Sequence, residues 1–146
     1  MTHLFDHESV NLGYEDLTTE SANGKRMYVT PEGRRYPSVT TVLGIRSRES
    51  IQKWRSRVGE EEANRISSFA SSRGTQVHTM VERYIDNRDD YLEKSNHLTR
   101  LNFETIRPVL DERIGKVFAQ EVPLYSNHLG LAGRVDCVAE FDGKLS

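Results

Sequence analysis

The chain has 146 residues, 36% hydrophobic and 29% charged, with a formal net charge of -2 and one cysteine. That size suits one domain or most of one; no apolar run is long enough for a bilayer span, and the acidic beginning argues against a secretory signal or a transit peptide. The lone Cys137 rules out an internal disulfide and fits a reducing compartment, which points to the cytoplasm.

Residues 1–24 are polar, acidic and aperiodic, and they contain no Lys or Arg. This predicts a flexible acidic arm, or an edge segment that packs late. From Lys25 to Arg57 the balance reverses, with nine basic residues against Glu32 and Glu49. Such an excess fits contact with a polyanion; a solvated basic face is the plain alternative. Within this stretch Tyr28-Val29-Thr30, Pro31-Glu32-Gly33 and Arg34-Arg35-Tyr36 read as a short hairpin, with Pro31 and Gly33 supplying the turn.

Ser38 stands where it can cap a helix beginning near Val39. Its hydroxyl and that of Thr40 would also suit a phosphate at a helix start, although a plain cap is sufficient to explain them. Ile51 to Val58 reads as a further helical run. Trp54 lies there among Lys53, Arg55 and Arg57, as a core anchor or as a stacking partner for a nucleobase. Gly59 ends the run, and Glu60-Glu61-Glu62 suit the positive end of the next helix dipole.

Ala63 to Ser72 is helical, with Ile66, Phe69 and Ala70 on one face; Arg73-Gly74-Thr75 is expected to interrupt or bend it. Gln76 to Asp86 resumes the helix with an apolar stripe of Val77, Met80, Val81, Tyr84 and Ile85. His78 and Glu82 are four apart and share a face beside that stripe. They form an ordinary surface pair, or they orient one another or both reach one cation. Asn87 to Asn96 is a loop. Leu98, Leu101, Thr105 and Ile106 mark another helix, with Pro108 at its end or at the start of a continuation that carries Val109, Leu110, Ile114 and Val117.

Phe118 to Tyr125 changes to the alternation of a strand, and Pro123 suggests an edge or a bulge. Ser126-Asn127-His128 then turns the chain into a second strand from Leu131 to Phe141, closed by the Asp142-Gly143 hairpin signal. This puts Glu121 and Asp136 on neighbouring strands. Asp is a poor strand residue, so Asp136 in mid-strand calls for a reason. We read it as half of a metal-binding carboxylate pair. Counting across the two-residue turn, Glu140 faces Leu145 and Ala139 faces Ser146. The residue facing Asp136, about 5 Å away at Cβ, is then the third beyond Ser146.

The series Tyr36-Pro37-Ser38-Val39-Thr40-Thr41-Val42-Leu43, Arg73-Gly74-Thr75 with His78 and Glu82, Glu121, and Gly133-Arg134-Val135-Asp136 resembles the RecB-like branch of the PD-(D/E)XK nucleases. Within that branch it is similar to exonucleases of the mitochondrial genome maintenance type and their phage relatives. The resemblance runs from about Lys25 onward. It implies an α+β, restriction-endonuclease-like fold, in which an N-terminal hairpin and helices precede an antiparallel hairpin of an incomplete mixed sheet. It implies catalytic roles for His78, Glu82 and Asp136, with Asp136, His78 and Glu121 as ligands of Mg²⁺ or Mn²⁺. The polyanion would be single-stranded DNA, held by Ser38, Thr40, Lys53, Trp54, Arg55, Arg57 and Arg73. Neither a membrane nor a small-molecule cofactor is expected.

The family's next strand supplies an acid, any residue, then Lys, which falls beyond Ser146. Residues 25–146 are therefore expected to be the N-terminal part of a nuclease domain, phage-encoded and inactive by themselves. The alternative is a non-catalytic nucleic-acid-binding module on the same scaffold. A plain α+β interaction domain would leave Asp136 without a metal role.

Overall fold

The computed structural model describes residues 3–146. Its first strands form around a signal that the sequence carries openly. Asn23 and Gly24 both take positive φ (52° and 73°), the backbone of a two-residue hairpin turn. They join β1 (Thr18–Ala22) to β2 (Lys25–Val29), paired antiparallel from Ala22 with Lys25 to Thr18 with Val29. β2 then pairs with β3 (Arg35–Pro37), with Tyr28 opposite Tyr36 and Val29 opposite Arg35. The expected hairpin is therefore present. The segment before it is the edge segment rather than the aperiodic arm: it carries β1, an outer strand of its sheet, and buries both Phe5 and Leu17.

Three helices follow among the described residues: α1 (Val39–Val58), α2 (Glu60–Ile85) and α3 (His97–Arg113). The two helical runs anticipated between Val39 and Val58 are one helix, closed by Gly59, whose N–H donates to the Arg55 carbonyl at 2.9 Å. Likewise α2 runs through Arg73-Gly74-Thr75 without interruption. Gly74 is exposed and has no positive φ, and it approaches no neighbouring backbone. A single glycine costs a helix about 1 kcal/mol relative to alanine, too little to break a helix of 26 residues whose far end is packed through Met80, Tyr84 and Ile85. In α3, Pro108 lies inside the helix rather than at an end. It is exposed, so the carbonyl one turn back that it leaves without a donor can turn to water.

β4 (Ile114–Ser126), β5 (Leu131–Phe141) and β6 (Lys144–Leu145) make the second sheet in that order. The β5–β6 register is the anticipated one: Glu140 pairs with Leu145, Phe141 with Lys144, and Ala139 and Ser146 exchange backbone bonds at 3.1 and 2.8 Å. Asp142 and Gly143 take φ 51° and 75° in the turn. The whole is a mixed α+β fold with two three-stranded sheets whose ladders are antiparallel.

The chain divides into two compact units. The first takes residues up to Ser9, Glu60–Gln120 and Cys137–Ser146; the second takes Val10–Gly59 and Glu121–Asp136. The core of the first is aromatic. Tyr84 of α2 meets Phe5, Tyr91 and Phe103 edge-on at centroid distances of 5.3, 5.1 and 5.2 Å. Met80, Ile85, Leu110, Val117 and Ala139 complete it. The inward face of α3 is Thr99, Phe103 and Leu110, whereas Leu98, Leu101, Ile106 and Val109, expected on the apolar stripe, are exposed. Thr99 can be buried because its hydroxyl bonds to Gln76 Oε1 at 2.8 Å and to Asn96 Oδ1 at 2.9 Å. On α2, Ile66 and Phe69 are also exposed. The second unit has a smaller core of Leu17, Tyr28 and Ala132, backed by Tyr36 and Tyr125.

Two stability predictions follow from the aromatic core. Phe103 is 0% exposed, so Phe103→Ala should lower the unfolding free energy of the first unit by about 3–5 kcal/mol in a urea titration. Tyr84 donates its hydroxyl to Asp111; burial, then that bond, hold the phenol above its ordinary value against the opposing Arg107. Stability from a group raised in the folded state is complete below the unfolded tyrosine value of about 10 and is lost as pH climbs through the folded one. The stability gap between wild type and Tyr84→Phe should therefore shrink at alkaline pH, and a gap constant across that range would contradict the assignment.

Candidate functional site

The first unit supplies a helix face. On α2, His78 is exposed and Glu82, one turn later, is half-buried. The packing of Met80, Tyr84 and Ile85 fixes the rotation of the helix and hence the direction of this face. β4 is tied to the same turn by Gln120, whose side-chain amide donates to the Glu82 carbonyl at 3.1 Å. Gln120 closes the first unit's share of β4, and Glu121 follows it in the chain. Arg73, also on α2, stacks its guanidinium over the exposed Phe69 ring at 5.5 Å.

The second unit gathers Asp136 and the start of α1 around one cavity of about 670 Å³, to which Ser38, Thr40 and Asp136 all contribute. Asp136 is exposed on β5. Ser38 forms a parallel bridge with Ala132 of β5, which draws the helix start to this strand. As anticipated, Ser38 is the N-cap: its Oγ accepts from Thr41 N at 3.0 Å and also bonds to the Thr40 and Thr41 hydroxyls at 3.1 and 2.7 Å. The buried Ser38 hydroxyl is thus committed to the cap, and Thr40 is the more open of the two.

Glu121 has φ 51°, the irregular point of β4, two residues before Pro123. Its carboxylate lies 3.8 Å from Arg134 Nε, and Arg134 Nη1 lies 3.3 Å from Asp16. Arg134 is a site residue that charge patterning alone does not single out; its place two residues before Asp136 on an alternating strand was the available signal. On α1, Lys53 pairs with Glu49 at 2.7 Å, Trp54 and Arg55 are half-buried, and Arg57 is exposed.

No family model matches the chain. Over 118 residues, 75% of this chain, it is 27% identical to the human protein named mitochondrial genome maintenance exonuclease 1. The match covers 34% of that protein, so the chain spans about a third of the length of this curated relative. No helix among the described residues is long and apolar enough to cross a membrane.

Removing the cap should loosen the helix start that borders the cavity. Ser38→Ala is expected to cost about 1 kcal/mol, and Ser38→Asp, which keeps an acceptor, much less. Denaturant melts of the two variants check the order.

Proposed function

We propose that this chain is the N-terminal part of a metal-dependent exonuclease of the RecB-like PD-(D/E)XK branch, with a restriction-endonuclease-like fold. Its substrate is single-stranded DNA in phage replication, repair or recombination, in the host cytoplasm. The observation that carries the reading is the pair His78 and Glu82, an imidazole and a carboxylate one turn apart on one face of α2. The similarity to a named exonuclease supports it, as does the carboxylate of Asp136 beside a helix start. The donors are carboxylate oxygens with one imidazole nitrogen, which suits Mn²⁺ and admits Mg²⁺.

A divalent cation bound there supplies an activated water and stabilises the leaving oxyanion of a phosphodiester. The chain's own residues divide the rest. Glu82, Glu121 and Asp136 supply carboxylate charge, and His78 supplies a nitrogen ligand. Lys53, Arg55, Arg57 and Arg73 hold the phosphate backbone by charge, with Trp54, Ser38 and Thr40 along the strand's path. Binding held by cations weakens steeply as salt rises.

The test is binding rather than turnover. Mn²⁺ titrated into the protein and followed by electron paramagnetic resonance should show a site in wild type. His78→Ala should weaken it by about tenfold or more, and His78→Ala/Glu82→Gln/Glu121→Gln should abolish it. Wild-type affinity in the triple variant would overturn the metal assignment. Retained binding of single-stranded DNA in that case would point to the non-catalytic module instead.

A further inference from the structure

The cavity of the second unit has a lining that metal binding does not explain. At about 670 Å³ it falls within the range of roughly 300–1,000 Å³ typical of small-molecule sites. Its aromatic wall includes Tyr14 and Tyr125, packed edge to face at 5.1 Å. Tyr14 remains 42% exposed even so. An edge-to-face pair keeps a ring face clear of its partner, and an exposed tyrosine ring at a cavity is a platform on which a flat aromatic ligand can stack.

Two guanidinium groups share this cavity, those of Arg26 and Arg134. Arg26 Nη1 donates to the Tyr28 hydroxyl at 3.4 Å, which steadies it beside the aromatic wall. Arg134 lies 3.3 Å from Asp16 and 3.8 Å from Glu121, and of these two partners the Asp16 side chain is 78% exposed. An exposed pair of this kind is worth little and gives way to a competing anion. Five N–H donors on each guanidinium leave capacity for a phosphate beyond the bonds already made. Asp136 lies on the same lining. A planar aromatic surface beside two guanidinium groups matches a base with its attached phosphate more closely than it matches a purely apolar ligand.

We propose that this cavity takes one unstacked nucleobase of a single-stranded nucleic acid. The base stacks on Tyr14, and the adjoining phosphate is held by Arg26 and Arg134. The next phosphodiester is thereby presented toward Asp136. This rests on the nuclease reading for its substrate class and adds to it the residues that seat a base. The cavity is built entirely from the second unit.

The experiment compares two fluorescently labelled oligomers of equal length, a short oligothymidylate and the same sugar–phosphate chain without bases, by anisotropy in EDTA. Wild type should prefer the base-bearing oligomer by about tenfold or more, the size of one stacked base. Tyr14→Ala should erase that preference while Tyr14→Phe keeps it. Tyr14 is exposed, so both variants should melt as wild type does. Arg26→Gln should weaken both oligomers alike and flatten their salt dependence.

Equal binding of the two oligomers by wild type, a preference that survives Tyr14→Ala, or no binding of either would overturn the proposal. Because EDTA removes divalent metal, a failed Mn²⁺ titration alongside a clear base preference would sink only the metal reading. An intact Mn²⁺ site without base preference would sink only this one.

Discussion

A tyrosine that is 2% exposed carries a hydroxyl that must still find a partner, and Tyr84 finds it in Asp111. The same ring is flanked by Phe5, Tyr91 and Phe103, with the Arg107 guanidinium 5.5 Å from its centre. One side chain therefore fixes the separation of α2 from α3 and gives the segment around Phe5 a surface to cover. It also sets the rotation of α2. His78 and Glu82 lie on this helix within two turns of Tyr84, so the direction of their face follows from how that ring is packed.

The second unit obeys a different constraint. Its core is small, and its helix α1 buries no residue completely. What holds the start of α1 is polar: the Ser38 cap and the bridge to Ala132. A cavity with exposed aromatic and cationic walls can persist there because the surrounding strands are tied by backbone bonds and by the Tyr36 hydroxyl, which donates to Asn127 at 2.7 Å. The first unit thus offers a well-fixed helix face, and the second an open lining.

Much of this was legible in the sequence wherever local chemistry decides the outcome. Asp142-Gly143 set the β5–β6 register, Ser38 set the start of α1, and Gly59 its end. Asn23-Gly24 was an equally strong signal and would have revealed β1, had the acidity of the segment not suggested an arm. The errors fall where tertiary context overrides a local rule. Gly74 and Pro108 looked like breaks, yet a long helix absorbs one glycine, and an exposed proline leaves its orphan carbonyl to water. On α3 the leucines do not mark the buried face; Thr99 does, because its hydroxyl is satisfied twice. That His78 and Glu82 share one face of α2 was readable from helical spacing. The pair of Arg134 with Asp16 joins residues far apart in sequence, and no periodicity announces it.

Asn87 gives one feature of the first unit a wider meaning. With φ 59°, it turns its side chain onto the backbone of Phe5, accepting from the N–H at 2.8 Å and donating to the carbonyl at 2.9 Å. Over the next three residues, Asp6 and Glu8 exchange backbone bonds with Val117, and the His7 ring bonds to the Ile85 carbonyl. The segment behaves as a tethered peptide ligand, with a main-chain clamp, a strand-like ladder and one aromatic anchor seated against Tyr84. Its affinity for its groove need only be modest, because the tether supplies a high effective concentration. The core around Tyr84 is in this sense closed by a segment of the chain's own beginning, held by main-chain bonds at Phe5, Asp6 and Glu8 rather than by a helix.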